Sequence, residues 1–180
     1  MMTRIHIFGA SGSGTTTLAK TLAETVGSPH YDTDTYFWMT TTPPFQTIRE
    51  RAERQTLLRQ DLTSHEHWIL SGSLCGWGDF AIPLFEMVVF LWLPPAIRMQ
   101  RLKQREMMRY GPHIDDPIHP GHHEHVTFLE WAAAYDTGGM DTRSKVRHEA
   151  WLATVLCPVI RIEGDYTIQE KLSLVMRSMQ

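Results

Sequence analysis

The sequence predicts an α/β fold: a three-layer sandwich in which a five-stranded parallel sheet lies between helices, with a helical lid. Three observations predict it. Short apolar runs alternate with helical periodicity along the 180 residues, the pattern of a parallel sheet covered on both faces. The run Met87-Val88-Val89-Phe90-Leu91-Trp92-Leu93 is apolar on both alternating faces, as a central strand must be. A glycine-rich turn, Gly9-Ala10-Ser11-Gly12-Ser13-Gly14-Thr15-Thr16-Thr17, joins the first strand to the first helix.

The elements follow in order. Residues 4–8 form a strand, and residues 14–26 a helix with Leu18, Leu22 and Val26 on one face and Gly27 in the position of a C-terminal stop. His30-Tyr31-Asp32 make a short second strand. Residues 37–45, with Pro43-Pro44 and three consecutive threonines, read as a loop. Thr47 is placed to cap a charged helix running to about residue 63. Trp68-Ile69-Leu70 is the third strand. After the fourth, Pro94-Pro95 stop the sheet and open a helix that reaches about residue 109. Residues 111–121, rich in Pro, His and Asp, are expected to be irregular and mobile. Helical patterns resume at about 122–135 and 142–156. The last strand, 159–162, leads through Gly164-Asp165 into a closing helix. Without a repeat, low-complexity tract or composition break, residues 1–180 read as one domain with a lid at about 98–140.

Composition narrows the function. Hydrophobic residues make up 42%, ordinary for a soluble globular chain, and the formal net charge is −3. That charge argues against generic nucleic-acid or membrane-surface binding. Cys75 and Cys157 are far apart and form no metal or redox motif, which fits a reducing compartment. The chain enters its first strand with no signal-peptide pattern, and its longest apolar run is far too short to span a bilayer. A cytoplasmic protein is expected. Oligomeric state is left open.

The turn from Gly9 to Thr17 carries most of the chemistry. A strand, a glycine-rich loop and a helix N-terminus converge backbone N–H groups and the positive end of a helix dipole on one anion. The spacing matches G-x-x-x-x-G-K-[ST] except that Thr15 stands in place of the lysine. Thr16 holds the Ser/Thr place whose hydroxyl ligates Mg²⁺. Two other readings stay open. Gly9, Gly12 and Gly14 could begin a dinucleotide-binding turn with Asp32 or Asp34 on the ribose, although its third glycine would fall on Thr15 and no Tyr-x-x-x-Lys pair is present. The glycines could also serve only a structural turn.

Thr15 can donate a hydrogen bond but supplies no charge, so another cation must neutralise a transferring phosphoryl group. Lys20 is more than a helical turn further on. Arg98, Arg101, Arg105 and Arg109 fall within an arc of roughly 80° on one helix. Glu106 is the one acid among them. The stripe reads either as an anion clamp or as a solvated basic face. Arg143 and Arg147 are a second candidate set.

Asp32-Thr33-Asp34 follow the second strand, at the carboxyl edge where open parallel sheets bind ligands. One acid can attend Mg²⁺ and its waters while the other accepts a proton from the acceptor; an Asp-rich helix cap is the plainer alternative. Ser71-Gly72-Ser73 and Trp77 follow the third strand on the same edge. There a glycine admits close approach and an indole offers a stacking face. Trp38 could line an acceptor pocket or belong to the core. His113, His119, His122, His123 and His125 crowd one segment, but their spacing matches no zinc pattern, and they read as incidental residues of the lid.

Taken together these motifs resemble the nucleoside-monophosphate and shikimate kinase group of P-loop NTPases, close to adenylate-kinase-like proteins. The Gly-Ser-Gly-Thr-Thr-Thr loop is similar to that of bacterial proteins described as adenylate kinases or AAA ATPases. The resemblance implies that Gly9–Thr17 hold ATP phosphates, and that Asp32-Thr33-Asp34 correspond to the Asp-x-Asp of shikimate-type kinases. There the first acid attends the metal and the second the acceptor. It further implies that Ser71-Gly72-Ser73 form the acceptor turn and that Gly164-Asp165 border the adenine. No arginine matches an AMP site, so AMP specificity is not implied.

The resulting expectation is a phosphotransferase moving the γ-phosphoryl of Mg-ATP to a small-molecule acceptor. Asp34, Arg101, Arg105 and Arg109 are its expected catalytic residues. Thr16 and Asp32 are the metal-binding pair, and Asp34, Trp38, Gly72, Ser73 and Trp77 the acceptor contacts. The alternative is a nucleotide-binding sensor or regulatory protein with little turnover.

Overall fold

The computed structural model describes residues 4–179. Five strands form one parallel sheet: β1 (Arg4–Gly9), β2 (His30–Asp32), β3 (Trp68–Ser71), β4 (Met87–Trp92) and β5 (Val159–Glu163), in the order β2-β3-β1-β4-β5. The register aligns Ile5 with Ile69 on one side and with Met87 on the other. Alternation along each strand builds two separate cores. Ile5, Ile7, Ile69, Val89 and Leu91 face Leu18 and Leu22 of α1 (Thr15–Val26) and Val175 of α7 (Ile168–Ser178). Phe8, Trp68, Leu70, Val88 and Phe90 face Leu58 and Leu62 of α3 (Arg51–Ser64) and Trp151 of α6 (Lys145–Leu152). The central strands are sealed on both faces, which is why they read as continuous apolar runs.

Several local expectations are corrected. The helix α3 is capped by Glu50, whose carboxylate accepts from the N–H groups of Ala52 and Glu53 at 2.6 and 3.0 Å. Thr47 instead belongs to a strap. Its carbonyl accepts from the Met39 N–H at 2.9 Å, beside an antiparallel bridge between Trp38 and Ile48. A short helix, α2 (Thr33–Phe37), precedes the strap and is capped by Asp32, which accepts from the Asp34 N–H at 3.0 Å. The expected helix at 142–156 is shorter, beginning at Lys145 after a Ser144 cap.

The segment expected to form a lid, about 98–140, contains most of α4 (Pro95–Tyr110), residues 111–121, and α5 (His122–Ala133) with a 3₁₀ turn at Ala134–Asp136. The segment 111–121 is irregular but closely folded: consecutive turns bond Asp116 N–H to His113 and His119 N–H to Asp116, and Ile114 is fully buried. Among the described residues no helix is long and apolar enough to cross a membrane.

Candidate active site

A cavity of about 860 Å³ opens at the carboxyl ends of β1 and β2, lined by the glycine loop, both aspartates, the strap and α4. The loop takes its shape from Gly14, whose φ of 93° is the left-handed conformation that side chains resist. This turns the chain into α1, whose first N–H groups have no acceptor within the helix. Ser13 stabilises the turn from inside, its hydroxyl and N–H both donating to the Ala10 carbonyl at 2.8 and 3.1 Å. Ala10 and Ser13 are buried and Ser11 is half-buried, whereas Gly12, Gly14, Thr15, Thr16 and Thr17 line the cavity.

Thr16 and Asp32 meet, although they are remote in sequence: the Thr16 hydroxyl donates to Asp32 Oδ2 at 2.9 Å. That bond uses the hydroxyl proton and leaves the oxygen's lone pairs for a cation. Two hard oxygen donors beside a phosphate loop fit Mg²⁺, which takes few protein ligands and keeps its waters. Among the described residues no group of three or more His, Cys, Asp or Glu could hold a metal, the histidine-rich segment 113–125 included.

Asp34 also lines the cavity. Enclosure by protein, and then the neighbouring Asp32, hold its carboxyl above the usual carboxylate range, against the opposing pull of Arg143, Arg105 and Arg109. Asp34 is solvent-exposed through the cavity mouth, and three guanidiniums moderate its proton affinity.

The arginine stripe divides. Arg101, Arg105 and Arg109 line the cavity, but Arg98 is 0% exposed. It donates to the Ala132 carbonyl at 2.7 Å and pairs with Asp136 at 2.9 Å, fixing α4 to the end of α5. The expectation that Arg98 belongs to an open clamp is therefore overturned. The stripe is not free of acids either. Glu106 is buried and lies 3.5 Å from Arg109 and 3.8 Å from Arg105. Arg101 is held by Asp165 at 2.7 Å, linking α4 to the Gly164-Asp165 loop.

The acceptor contacts also divide. Trp38 lines the cavity with Phe45, their rings edge-on at 5.9 Å, and the Arg109 guanidinium lies 4.8 Å from the Phe45 ring. Trp77 does not reach the cavity. It is buried, its indole donates to the Ser73 carbonyl at 3.1 Å, and its ring meets Phe37 and the Arg54 guanidinium. Gly72 has φ of 98°, and a Cβ there would collide with the Thr33 hydroxyl, so its glycine lets β3 pass α2. Ser73 points to His148 at 3.2 Å, and the other His148 ring nitrogen meets the Tyr135 hydroxyl at 2.8 Å. Neither Gly72 nor Ser73 lines the cavity among the described residues.

One contributor escapes sequence reasoning: the strap from Met39 to Phe45 forms one wall of the cavity, and nothing in the first-order pattern marks it. Of the second candidate set, Arg143 reaches the loop, donating to the Gly9 carbonyl at 3.0 Å and tying the segment before α6 to it, whereas Arg147 does not line the cavity.

Comparison with known proteins bears on the family and the fold. The family model described as AAA domain matches residues 5–117. The chain is 46% identical over 178 residues to the uncharacterized protein YqaC of Bacillus subtilis, covering 98% of this chain and 97% of that one. The shikimate kinase of Acinetobacter baumannii, solved with shikimate, superposes with a TM-score of 0.56 at 19% identity, over 99% of this chain and 95% of the other. The shikimate kinase of Bacteroides thetaiotaomicron gives 0.54 at 18% identity, over 99% of both chains. At such identities the two kinases establish the fold, and the family match rests on sequence. The chain belongs to the AAA domain family and has the P-loop NTPase fold of the shikimate kinases.

Proposed function

We propose that the protein is a small-molecule kinase that moves the γ-phosphoryl group of ATP to a hydroxyl or phosphate of an acceptor held between Asp34 and the strap. The observation that carries this reading is the Thr16–Asp32 hydrogen bond at the mouth of the glycine loop, with Asp34 in the same cavity. The loop N–H groups and the α1 dipole bind the polyphosphate. Mg²⁺, held through Thr16 and Asp32, would neutralise phosphate charge and orient the donor. Asp34 orients the acceptor and takes its proton. Arg105 and Arg109 stabilise charge on the transferring group, as preorganised cations do in phosphoryl transfer. The strap residues Trp38 and Phe45 exclude water from the acceptor side. Adenine would rest near Gly164-Asp165. A shared fold with shikimate kinases does not fix the acceptor.

The test is ADP formation from Mg-ATP over a panel of nucleoside monophosphates, polyols and hydroxy acids, with product identified by phosphorus NMR. Acceptor-dependent ADP release that disappears in Asp34→Asn supports the reading. Acceptor-independent hydrolysis alone contradicts it. A second reading, a nucleotide sensor with little turnover, is favoured by Thr15. In a sensor, Thr15→Lys raises transfer or hydrolysis; in a kinase built around Thr15 it leaves the rate unchanged or lowers it.

A further inference from the structure

Position 15 lacks the cation that a phosphate loop ordinarily carries, and the far end of the chain brings another to the same loop. Lys171 lies in α7 and is only 5% exposed. Its ammonium donates to the Ser13 carbonyl at 3.2 Å and lies 3.7 Å from the place where a Cβ on Gly14 would sit. That carbonyl is its one hydrogen-bond partner among the described residues. Arg101 and Asp165, paired with each other at 2.7 Å, act on it only through space.

A lysine is seldom buried without a counter-charge, because desolvation penalises the ammonium form. Here burial, followed by the repulsion of Arg101, presses its proton affinity down, with Asp165 opposing. The native fold compensates this only in part, through one neutral carbonyl and the more remote Asp165. A phosphate group on the loop would supply the rest.

The route by which Lys171 acts is set by peptide geometry. In a trans peptide the C=O and N–H point to opposite sides of the chain. The N–H opposite the Ser13 carbonyl belongs to Gly14, and Gly14 lines the cavity, whereas Lys171 does not. A cation bound at the carbonyl polarises the whole unit and makes its N–H a stronger donor to an anion. It also fixes the plane of a peptide next to a left-handed glycine, where the backbone has the most freedom to turn.

We propose that Lys171 is a positioning residue that replaces the absent loop lysine, acting from α7 through the Ser13–Gly14 peptide on a bound polyphosphate. The proposal rests on the reading of the loop as a polyphosphate site. It assigns the charge deficit left by Thr15 to a residue outside the loop motif, and it divides the labour. Lys171 strengthens binding of the donor phosphates, while Arg105 and Arg109 face the acceptor side.

The experiment is calorimetric titration with Mg-ATP and, separately, with inorganic tripolyphosphate, which has no base or ribose. The proteins are wild type, Lys171→Met, Lys171→Gln, Lys171→Arg, and Lys103→Met as an exposed control on α4. Circular dichroism first establishes which variants fold, and the folded ones decide. Lys171→Met and Lys171→Gln should each weaken both probes by about tenfold or more, the value of one charge-assisted hydrogen bond. Lys171→Arg should restore most of the affinity, and Lys103→Met should leave it unchanged. Glutamine keeps a donor without charge, so binding retained in Lys171→Gln and lost only in Lys171→Met means a packing or hydrogen-bonding role and overturns the proposal. Losses below tenfold in both variants also overturn it. If wild type binds neither probe, the polyphosphate reading fails together with the role of Lys171; if wild type binds and the variants match it, only the role of Lys171 fails.

Discussion

Replacing His6 by phenylalanine should flatten the acid limb of the protein's stability curve. His6 is 0% exposed, stacked between Phe8 at 5.3 Å and Phe85 at 4.9 Å, and neither ring nitrogen has a hydrogen-bond partner among the described residues. Burial drives its pKa from 6.5 down to about 3, against a small opposing effect of the nearby Leu70 backbone. His148 is equally buried, and its pKa falls to about 2, through burial first and then the charges of Arg143, His6 and Arg147. Both side chains are neutral in the native state at pH 5, whereas in the unfolded chain both have titrated. The unfolded state then binds more protons, so stability rises with pH and is lost as pH falls below about 6.5. Because both folded values lie well under 5, the loss at pH 5 depends only on the unfolded pKa. It amounts to about 2 kcal/mol for each histidine, or about 4 kcal/mol for the pair, relative to pH 7.5. His6→Phe removes one of these contributions. Urea unfolding followed by tryptophan fluorescence at pH 7.5 and 5.0 gives the difference within each protein, so any packing cost of the larger ring cancels. The drop in His6→Phe should be smaller than in wild type by about 2 kcal/mol. An equal drop in the two proteins would refute a neutral buried His6.

Other consequences concern α4 and the acids. Arg98→Met leaves Asp136 without its buried partner and should lower unfolding free energy by about 3–5 kcal/mol, read as a fall in the urea midpoint. Asp34→Asn should keep ATP affinity within about twofold in a calorimetric titration while reducing acceptor-dependent turnover by about a hundredfold or more. Arg109→Gln removes one of the charges that pull the Asp34 pKa down, so the acid limb of the turnover profile should move to higher pH. A limb that stays in place or moves lower would separate Arg109 from Asp34.

The layers of the fold were legible because each central strand carries its own burial code. Ile5 and Ile7 alternate with His6 and Phe8, and β4 is apolar on both faces. The phosphate loop was legible for a different reason, since its glycines and hydroxyls are contiguous and answer to local backbone geometry. Elements whose stability comes from remote partners were not. The strap around Trp38 and Ile48 is held by two short stretches pairing across prolines, a pattern that reads as a loop in one dimension. Helix α3 begins at Arg51 because Glu50 accepts two backbone N–H groups, in competition with a threonine that propensity favours. Arg98 and Arg101 share a helix face in sequence, but one is sealed against α5 and the other meets solvent, a difference set by the packing of α4 on α5. Trp77 offered an indole beside a glycine turn, and packing against Phe37 and Arg54 turned it inward. Lys171 lies far from the loop in sequence, and no spacing rule connects it to Ser13.

If the glycine loop, although it lacks its lysine, binds the polyphosphate of a nucleotide with a divalent cation, calorimetric titration of the wild-type protein with ATP, with and without Mg²⁺, and then with NADPH in the same buffer will show it. ATP should bind saturably at micromolar concentration, Mg²⁺ should strengthen that binding, and Thr16→Ala or Asp32→Ala should abolish its Mg²⁺ dependence. No binding of ATP at millimolar concentration, or binding of NADPH in its place, would contradict that reading of the loop.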